Sequence, residues 1–233
     1  MNLVTVIPAR GGSKSIPLKN IQLLKGKPLL AYSIGYSKSC SLVSHTIVST
    51  DSEEIASIAK QYGAEVPFIR PAVISGDEVE DFPVIEHALY ALESIYQKKI
   101  DAIAWLRPTS PLRPVLLIER AVELLEKFPE CTSIRSVVAS SEHPYRQWLW
   151  QDGFIASAVD CRETNEPFNL PRQKLPNMFF QSGDIEVVRR DTIVDGSMSG
   201  QKVAPIILMQ DEMLDIDHFD DLLDAELKLV DEI

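Results

Sequence analysis

Short apolar runs alternate with helical patterns through residues 3–138 of this chain. The apolar runs cover residues 3–9, 46–50, 64–69, 102–106 and 133–138. The helical patterns lie between residues 51 and 63 and cover residues 83–97 and 115–128. Strands that alternate with helices form a parallel sheet with helices on both of its faces. The sequence therefore predicts an α/β fold with a doubly wound, mostly parallel sheet.

Polar residues follow three of the predicted strands at the point where each strand ends. Arg-Gly-Gly (10–12) follows the first strand, Asp51 follows the second, and Arg-Pro-Thr-Ser-Pro (107–111) follows the run at 102–106. In doubly wound sheets, ligands bind beyond the carboxyl ends of the strands. We therefore predict a binding site at this edge of the sheet.

Residues 140–180 differ in character from the alternating part of the chain. They contain four prolines and two tryptophans, and they predict an inserted arm that leaves the main sheet. Trp148 and Trp150 fit a subunit interface, with the end of an ordinary core strand as the alternative. Short strands are predicted at 147–150 and 154–158, strand pairing resumes at 178–188 and 203–209, and a terminal helix follows Asp217.

Length and composition exclude several classes of protein. The 233 residues, of which 45% are hydrophobic, fit one domain with an insertion, so residues 1–233 are assigned to a single domain. No apolar run approaches the ~18 residues that span a bilayer, and the first residues lack the features of a secretory signal. Three scattered cysteines argue against a disulfide framework. We therefore expect a cytoplasmic protein that does not bind a membrane. The net charge of −11 argues against nucleic acid as a binding partner.

The distribution of charge says more than the net charge. Residues 1–50 contain six basic residues and no acidic one, whereas the rest of the chain contains 17 basic and 34 acidic residues. A basic leader on an acidic protein indicates a local anion site. A chance run of exposed lysines is the alternative.

The loop after the first strand has the composition of that anion site. In Pro-Ala-Arg-Gly-Gly-Ser-Lys-Ser-Ile-Pro-Leu-Lys-Asn (8–20), two glycines let backbone N–H groups converge, and Arg10, Lys14 and Lys19 supply positive charge. This chemistry suits a triphosphate. The spacing matches neither the P-loop nor the dinucleotide-binding fingerprint, which argues against a dehydrogenase. A flexible basic surface loop is the alternative.

Two aspartates near the end of the chain have the spacing of a metal site. Asp215 and Asp217 are two residues apart, so on an extended stretch their side chains point the same way. Together they can bind one hard cation through oxygen while phosphates and waters supply the remaining ligands. The alternative is that Asp217 caps the terminal helix, and both roles can coexist.

These segments together resemble one known family. Residues 8–20 are similar to the signature of the acylneuraminate cytidylyltransferases, the CMP-sialic acid synthetase family. Further similar blocks follow in the family's order at residues 47–51, 70–71, 107–113, 171–176 and 215–217. The resemblance implies a Rossmann-like, Mg²⁺-dependent enzyme that joins CMP from CTP to a nonulosonic, sialic-acid-like sugar acid. It also implies a homodimer in which the arm at 140–180 exchanges between subunits.

The resemblance implies a role for each matching residue. The residues implied to bind the nucleotide are Arg10, Gly11, Gly12, Ser13, Lys19, Asn20 and Arg70. The residues implied to bind the sugar are Arg107, Arg172 and Gln173, and those implied to bind Mg²⁺ are Asp215 and Asp217. Arg10 and Lys19 would neutralise charge as pyrophosphate leaves, and with Asp217 they form the implied catalytic set.

Three segments depart from the family's pattern. Arg107 stands where many members carry Gln, and this second cation suits a differently decorated sugar acid. The alternative is a structural ion pair with Asp101 or Glu119. Residues 77–81 are acidic where members often carry Ser or Thr near the base. Residues 181–186 replace a more usual Asn-Gly followed by Tyr, which favours a relative such as legionaminic acid over N-acetylneuraminate.

Two other functions remain open from the sequence. Transfer to Kdo or another sugar acid keeps the reaction and changes the substrate, although the corresponding Kdo loop usually lacks Gly-Ser-Lys (12–14). A non-catalytic nucleotide-sugar binding protein keeps the fold and loses the reaction.

Overall fold

The computed structural model of the protein describes residues 1–13 and 16–229. Its strands are β1 (Leu3–Pro8), β2 (Leu23–Leu24), β3 (Lys27–Pro28), β4 (Val43–Ser49), β5 (Ala102–Trp105), β6 (Ser133–Ala139), β7 (Trp148–Gln151), β8 (Phe154–Ser157), β9 (Phe179–Arg189) and β10 (Val203–Leu208). Its helices are α1 (Leu29–Ser39), α2 (Glu53–Gln61), α3 (Asp81–Tyr96), α4 (Leu117–Lys127), α5 (Arg190–Val194) and α6 (Phe219–Lys228).

Six of the strands form one mostly parallel sheet in the order β10-β6-β9-β5-β1-β4. β1 runs parallel to both β4 and β5, and β6 runs parallel to β10. β9 is antiparallel to its two neighbours, β5 and β6. The predicted fold class is therefore confirmed, with one antiparallel strand inside the sheet.

Helices cover both faces of the sheet, as the term doubly wound requires. On one face, α1, α2 and α4 bury residues such as Leu30, Ile55 and Ala121 against the strands. On the other face, α3 and α5 bury residues such as Leu89 and Ile193. These two apolar layers hold the sheet between the helices. The polar loops lie at its carboxyl edge, outside both layers.

The start of α2 follows from its sequence. Ser52 Oγ accepts a hydrogen bond from Ile55 N at 3.3 Å, and Glu53 and Glu54 lie in the first turn, near the positive end of the helix dipole. Ser52 is therefore the N-cap residue of α2. The Asp51 carboxylate accepts a hydrogen bond from the glycine loop instead.

Two parts of the secondary structure differ from the prediction. Residues 64–69 were expected to form a strand but make only an isolated bridge, between Glu65 and Ile47. Pro67 lies inside this run, and proline cannot donate a ladder hydrogen bond. The helix α1 was not predicted, because it is buried on most sides and has no apolar stripe to reveal its period.

The segment between β6 and β9 contains a hairpin, β7–β8, that forms its own two-stranded sheet. Asp152 and Gly153 form the turn, both with positive φ, as a tight Asp-Gly hairpin turn requires. Trp150 is 76% exposed and Phe154 is 80% exposed, so the tryptophan strand is not part of the core. The dimerisation role of this arm stays a prediction.

Within residues 1–13 and 16–229, no helix has the length and apolar character that crossing a bilayer requires.

Candidate active site

A cleft beyond the carboxyl ends of β1 and β5 collects most of the residues singled out in the sequence. The cavity has a volume of about 450 Å³. The predicted site residues that line it are Arg10, Gly12, Ser13, Lys19, Asn20, Arg70 and Arg107. The segment after Arg70 forms the opposite wall and contributes Gly76, Asp77 and Asp81. Lys14, which the sequence also placed in the basic loop, lies outside the described residues.

The glycine loop is held in place by hydrogen bonds at both of its ends. Gly11 N donates to Asp51 Oδ1 at 2.8 Å, and the Asn20 side-chain amide donates to the Arg10 carbonyl at 2.9 Å. The Gly11 amide is therefore engaged with protein, whereas Gly12 and Ser13 face the cavity. The predicted phosphate cradle thus rests on Gly12 and Ser13, and Gly11 acts in holding the loop.

Gly11 is a residue whose size matters for this loop. A Cβ atom built at Gly11 would lie 3.2 Å from Ser52 Cβ, closer than carbon atoms normally approach. At Gly12, the same construction meets no atom within 4 Å. The loop therefore packs against the start of α2 at Gly11 and opens toward the cavity at Gly12.

Arg10 crosses the cavity to the opposite wall. Its Nη1 lies 2.9 Å from Asp77 Oδ1 and donates to the Gly76 carbonyl at 2.8 Å. The guanidinium is partly exposed, so an incoming anion can reach it. Arg10 is therefore a cation in the cavity whose present partner is a carboxylate.

Lys19 joins the two ends of the chain. Its Nζ lies 2.9 Å from Asp217 Oδ1 and 3.1 Å from the Ile216 carbonyl, to which it donates a hydrogen bond. Ile216 N in turn donates to the Thr109 carbonyl at 2.8 Å, which fixes the acidic stretch to the loop after β5. The basic loop near the start of the chain and the aspartates near its end therefore meet at one site.

The Asp217 side chain does not cap the terminal helix. Asp221 does so, because its Oδ2 accepts hydrogen bonds from Asp217 N at 2.8 Å and His218 N at 2.7 Å. These bonds lower the pKa of Asp221. The Asp217 carboxylate is therefore directed to Lys19.

Asp215 and Asp217 fit the Mg²⁺ ion that the resemblance implies. Desolvation raises the pKa of Asp215, and the nearby Asp217 carboxylate raises it too, against opposing effects of Thr109, Lys19 and Arg107. Two carboxylates that repel each other are the oxygen donors a hard divalent cation prefers. Within the described part of the chain, no group of three or more His, Cys, Asp or Glu side chains gathers as a metal cluster. Substrate oxygens and waters would therefore complete the coordination.

Arg70 is a buried cation at the base of the cavity. Its Nε donates to Ser49 Oγ at 3.1 Å, its backbone N donates to the Thr50 carbonyl at 2.7 Å, and its guanidinium also bonds the Ser49 carbonyl. Burial lowers its pKa, and the Arg10 charge adds to this effect against Asp51 and Asp81. Bonding to the end of β4 fixes Arg70 where its remaining surface lines the cavity.

Arg107 lies between two carboxylates. Its Nη2 is 2.7 Å from Asp81 Oδ2 and 2.7 Å from Glu186 Oε1. Burial alone would lower its pKa, but these two carboxylates more than offset that effect and raise it. The predicted alternative partners, Asp101 and Glu119, are not the ones it contacts.

Arg113 fixes the backbone around Arg107, a role the sequence did not reveal. The side chain is buried and donates to the Asp184 carbonyl at 2.6 Å, to Ser33 Oγ at 2.9 Å and to the Arg107 carbonyl. Burial lowers its pKa to about 10, against the opposing charge of Asp184. The burial of Arg113 and its three hydrogen bonds to protein identify it as a structural residue of the site.

Arg172 and Gln173 lie outside the cavity of their own chain. Both belong to a short 3-10 turn in the arm, and both are exposed. Neither residue is among those that line the cavity, and their contact with the sugar stays a prediction.

A comparison with known families decides the class of this protein. The profile of the cytidylyltransferase family matches residues 4–148, which is more than half of the chain. The chain belongs to the cytidylyltransferase family. The matched span contains the glycine loop, Arg70 and Arg107, so it covers the predicted site residues that line the cavity.

Individual relatives of this cytidylyltransferase extend the comparison. The post-translational flagellin modification protein B of Campylobacter coli is 31% identical over 216 residues, covering 92% of this chain and 89% of the relative. The CMP-N,N'-diacetyllegionaminic acid synthase of Legionella pneumophila is 40% identical over 124 residues, about half of each chain at 53%. A solved CMP-2-keto-3-deoxy-manno-octonic acid synthetase complexed with CTP covers 100% of both chains with a TM-score of 0.72 at 16% identity, and thus shows the fold.

These comparisons confirm the predicted resemblance, fold class and enzyme class. The lining of the cytidylyltransferase cavity contains cations from three loops, and Lys19 connects it to Asp217, which is not itself among the lining residues. Such a set of cations can bind a triphosphate and compensate the charge that develops on a leaving phosphate. The roles of single residues stay predictions.

The sequence did not reveal which carboxylates bond the site residues of this cytidylyltransferase. Asp51, Asp81 and Glu186 each bond a site residue from a distant segment. For Glu186 a signal existed, because it is one charge inside the apolar run of residues 185–188. A lone charge in a buried strand needs a partner.

Proposed function

We propose that this enzyme transfers CMP from CTP to the anomeric hydroxyl of a nonulosonic acid and releases pyrophosphate. The observation that carries the proposal is the 2.9 Å contact of Lys19 with Asp217, which brings the basic loop and the acidic pair together beside the cavity of a cytidylyltransferase. The Legionella relative is named as a synthase of the CMP derivative of such an acid. A sugar acid of this class is therefore the proposed acceptor.

The CTP triphosphate is proposed to bind along the glycine loop. Gly12 and Ser13 would offer backbone N–H groups, and Arg10 and Lys19 would exchange their carboxylate partners for phosphate oxygens. Asn20 and Arg70 line the same cavity and would contact the nucleotide. Each of these contacts neutralises charge on a highly anionic substrate.

Asp215 and Asp217 are the residues that would hold Mg²⁺. When bound there, the ion would supply positive charge to the phosphates. It would replace Lys19 as the partner of the Asp217 carboxylate. Lys19 would then be available to the phosphates that leave.

In the proposed reaction, the acceptor oxygen forms a bond to the α-phosphorus of CTP and the bond from that phosphorus to the bridging oxygen of the β-phosphate breaks. The hydroxyl proton is released and the electron pair leaves with pyrophosphate. The protein's own part is to hold two anions that repel each other in line and to stabilise the leaving charge with Arg10 and Lys19.

The sugar end of the site is proposed to involve two subunits. Arg107 lines the cavity, whereas Arg172 and Gln173 lie on the arm. The exposed apolar surface of the hairpin, with Trp150 and Phe154, supports a homodimer in which a partner covers it. Within such a dimer, the arm of one subunit would bring Arg172 to the sugar acid of the other.

We place the enzyme in the cytoplasm, where CTP is available.

The test is a substrate panel read by pyrophosphate release. CTP, GTP, UTP and ATP are each combined with N-acetylneuraminate, N,N'-diacetyllegionaminic acid or Kdo, with and without Mg²⁺. The proposal predicts release only with CTP, Mg²⁺ and a nonulosonic acid together. Turnover with Kdo alone would identify the eight-carbon acid as substrate, and tight CTP binding without turnover would indicate a non-catalytic binding protein.

A further inference from the structure

A buried carboxylate holds the cation at the sugar end of the cleft. The Glu186 side chain is 2% exposed, and its Oε1 lies 2.7 Å from Arg107 Nη2. Its Oε2 forms an ion pair with Arg135 Nη2 at 2.8 Å, and the Gln181 amide donates to Oε1 at 3.2 Å. Removing this carboxylate would take an ion-pair partner from two partly buried guanidinium groups and leave Arg107 with Asp81 alone. Glu186 is therefore a fixed partner of Arg107.

An irregularity in β9 puts Glu186 in this position. Gln181 is paired with Val137 and Glu186 with Arg135, so five positions along β9 span only two along β6. Gly183 has a φ of +79°, and a Cβ atom built on it would lie 3.9 Å from Arg107 Cδ. Bulges redirect side chains beside active sites. Here the bulge brings Gln181 and Glu186 to the same side, toward Arg135 and Arg107.

The second partner of Arg107 has the opposite character. Asp81 Oδ2 lies 2.7 Å from the same Nη2, but the Asp81 side chain is 37% exposed and lines the cavity. Within residues 1–13 and 16–229, Arg107 Nε and Nη1 donate no hydrogen bond to protein. One partner of Arg107 is thus buried and fixed, and the other is exposed and belongs to the wall of the cavity.

We propose that Glu186 is a positioning residue that holds Arg107 for the carboxylate of the sugar acid, and that Asp81 occupies the place which this carboxylate takes. The inference rests on the proposed function and names the group that recognises the acid. An arginine fork can bind a carboxylate through two parallel hydrogen bonds, which a neutral sugar cannot form. Selection for an acid would therefore follow from exchange of Asp81 for substrate, while Glu186 stays in place.

The first test is the variant Glu186→Gln. Glutamine carries no negative charge, so the ion pairs with Arg107 and Arg135 are both lost and Arg107 is held less firmly in its position. We expect the KM for the acid turned over fastest in the panel to rise by ~10-fold or more, with the KM for CTP changed less than twofold. Glu93→Gln is the matched control, because Glu93 bonds Arg190 through both oxygens, at 2.8 and 3.0 Å, away from the cleft.

The second test does not depend on a buried residue. Asp81→Asn removes the charge that competes with the substrate, so the KM for the sugar acid is expected to fall by about threefold or more. A raised KM for the acid in this variant would overturn the exchange, whether or not Glu186→Gln folds.

The outcomes separate the inference from the proposed function. If the wild type turns over, two results overturn the inference alone. One is an unchanged KM for the acid in Glu186→Gln, and the other is an equal effect of Glu186→Gln and Glu93→Gln on the KM of both substrates. Absence of wild-type turnover with every acid overturns the proposed function and this inference with it.

Discussion

At the scale of single residues, three cations of the cleft, Arg10, Lys19 and Arg107, already have carboxylate partners. Lys19 contacts Asp217, and Arg107 contacts Asp81. Because the proposed substrates are anions, each of these contacts must be exchanged or compensated when substrate binds. The cations could be predicted from sequence since they lie in short blocks. Their partners could not, because such pairs depend on the path of the chain between distant segments.

Asp217→Asn tests the acidic pair. The asparagine oxygen can still accept from Lys19, so the local structure and CTP binding should persist, whereas a charged metal ligand is lost. We expect kcat to fall by ~100-fold or more with the affinity for CTP changed less than fivefold. Asp220→Asn, an exposed aspartate in the first turn of α6, should keep wild-type turnover. Unchanged kcat in Asp217→Asn would remove the metal assignment.

Asp184 should give the protein a pH-dependent stability. Burial raises its pKa to about 6, against opposing effects of Ser182 and Arg113. A carboxyl whose folded pKa is raised contributes stability that is present below its unfolded pKa of about 4 and is lost as pH rises through about 6. Between pH 4 and 7, the free energy of unfolding of the wild type should therefore fall relative to Asp184→Asn, by on the order of 2 kcal/mol. Urea unfolding measures both, and parallel pH curves would contradict the assignment.

At the scale of elements, the sequence patterns predicted strands and amphipathic helices well and buried irregular segments poorly. The strands β1, β5 and β10 lie within one or two residues of the predicted runs, because continuous apolar runs bounded by turns have few other structures. The helix α1 was missed because burial on most sides removes its period. The bulge in β9 was missed because register is a property of the partner strand, β6.

The contact between the glycine loop and α2 can be tested with two alanine variants. Both Gly11→Ala and Gly12→Ala reduce the freedom of the unfolded chain equally. Only Gly11→Ala brings a methyl group to within 3.2 Å of Ser52 Cβ. We expect Gly11→Ala to be less stable than Gly12→Ala by about 1–2 kcal/mol in urea unfolding. Equal free energies of unfolding would show that the loop does not pack closely at Gly11.

At the scale of the whole molecule, the fold brings the first and last parts of the chain to one edge of the sheet. The parallel order β5-β1-β4 places three loops side by side, and the Ile216–Thr109 hydrogen bond attaches the acidic stretch to them. The arm departs from this body between β6 and β9 and exposes aromatic surface. Its composition indicated an excursion from the sheet, and a homodimer formed through it stays a proposal.

The proposed homodimer can be tested at the hairpin. Trp150→Glu places a charge on the exposed apolar surface, so it should convert a dimer into a monomer, as measured by size-exclusion chromatography with light scattering. Leu227→Glu, at an exposed leucine of α6, should leave the dimer intact. A monomeric wild type, or a dimer that persists in Trp150→Glu, would contradict the role of the arm.

The central claim is that the basic loop and the acidic pair enclose one nucleoside triphosphate. Its most direct test is a crystal structure of the enzyme with CTP and Mg²⁺. We expect phosphate oxygens within hydrogen-bonding distance of Arg10 and Lys19, and the ion bound by Asp215 and Asp217. A triphosphate bound elsewhere, or one that leaves the contacts of Arg10 with Asp77 and of Lys19 with Asp217 unchanged, would contradict it.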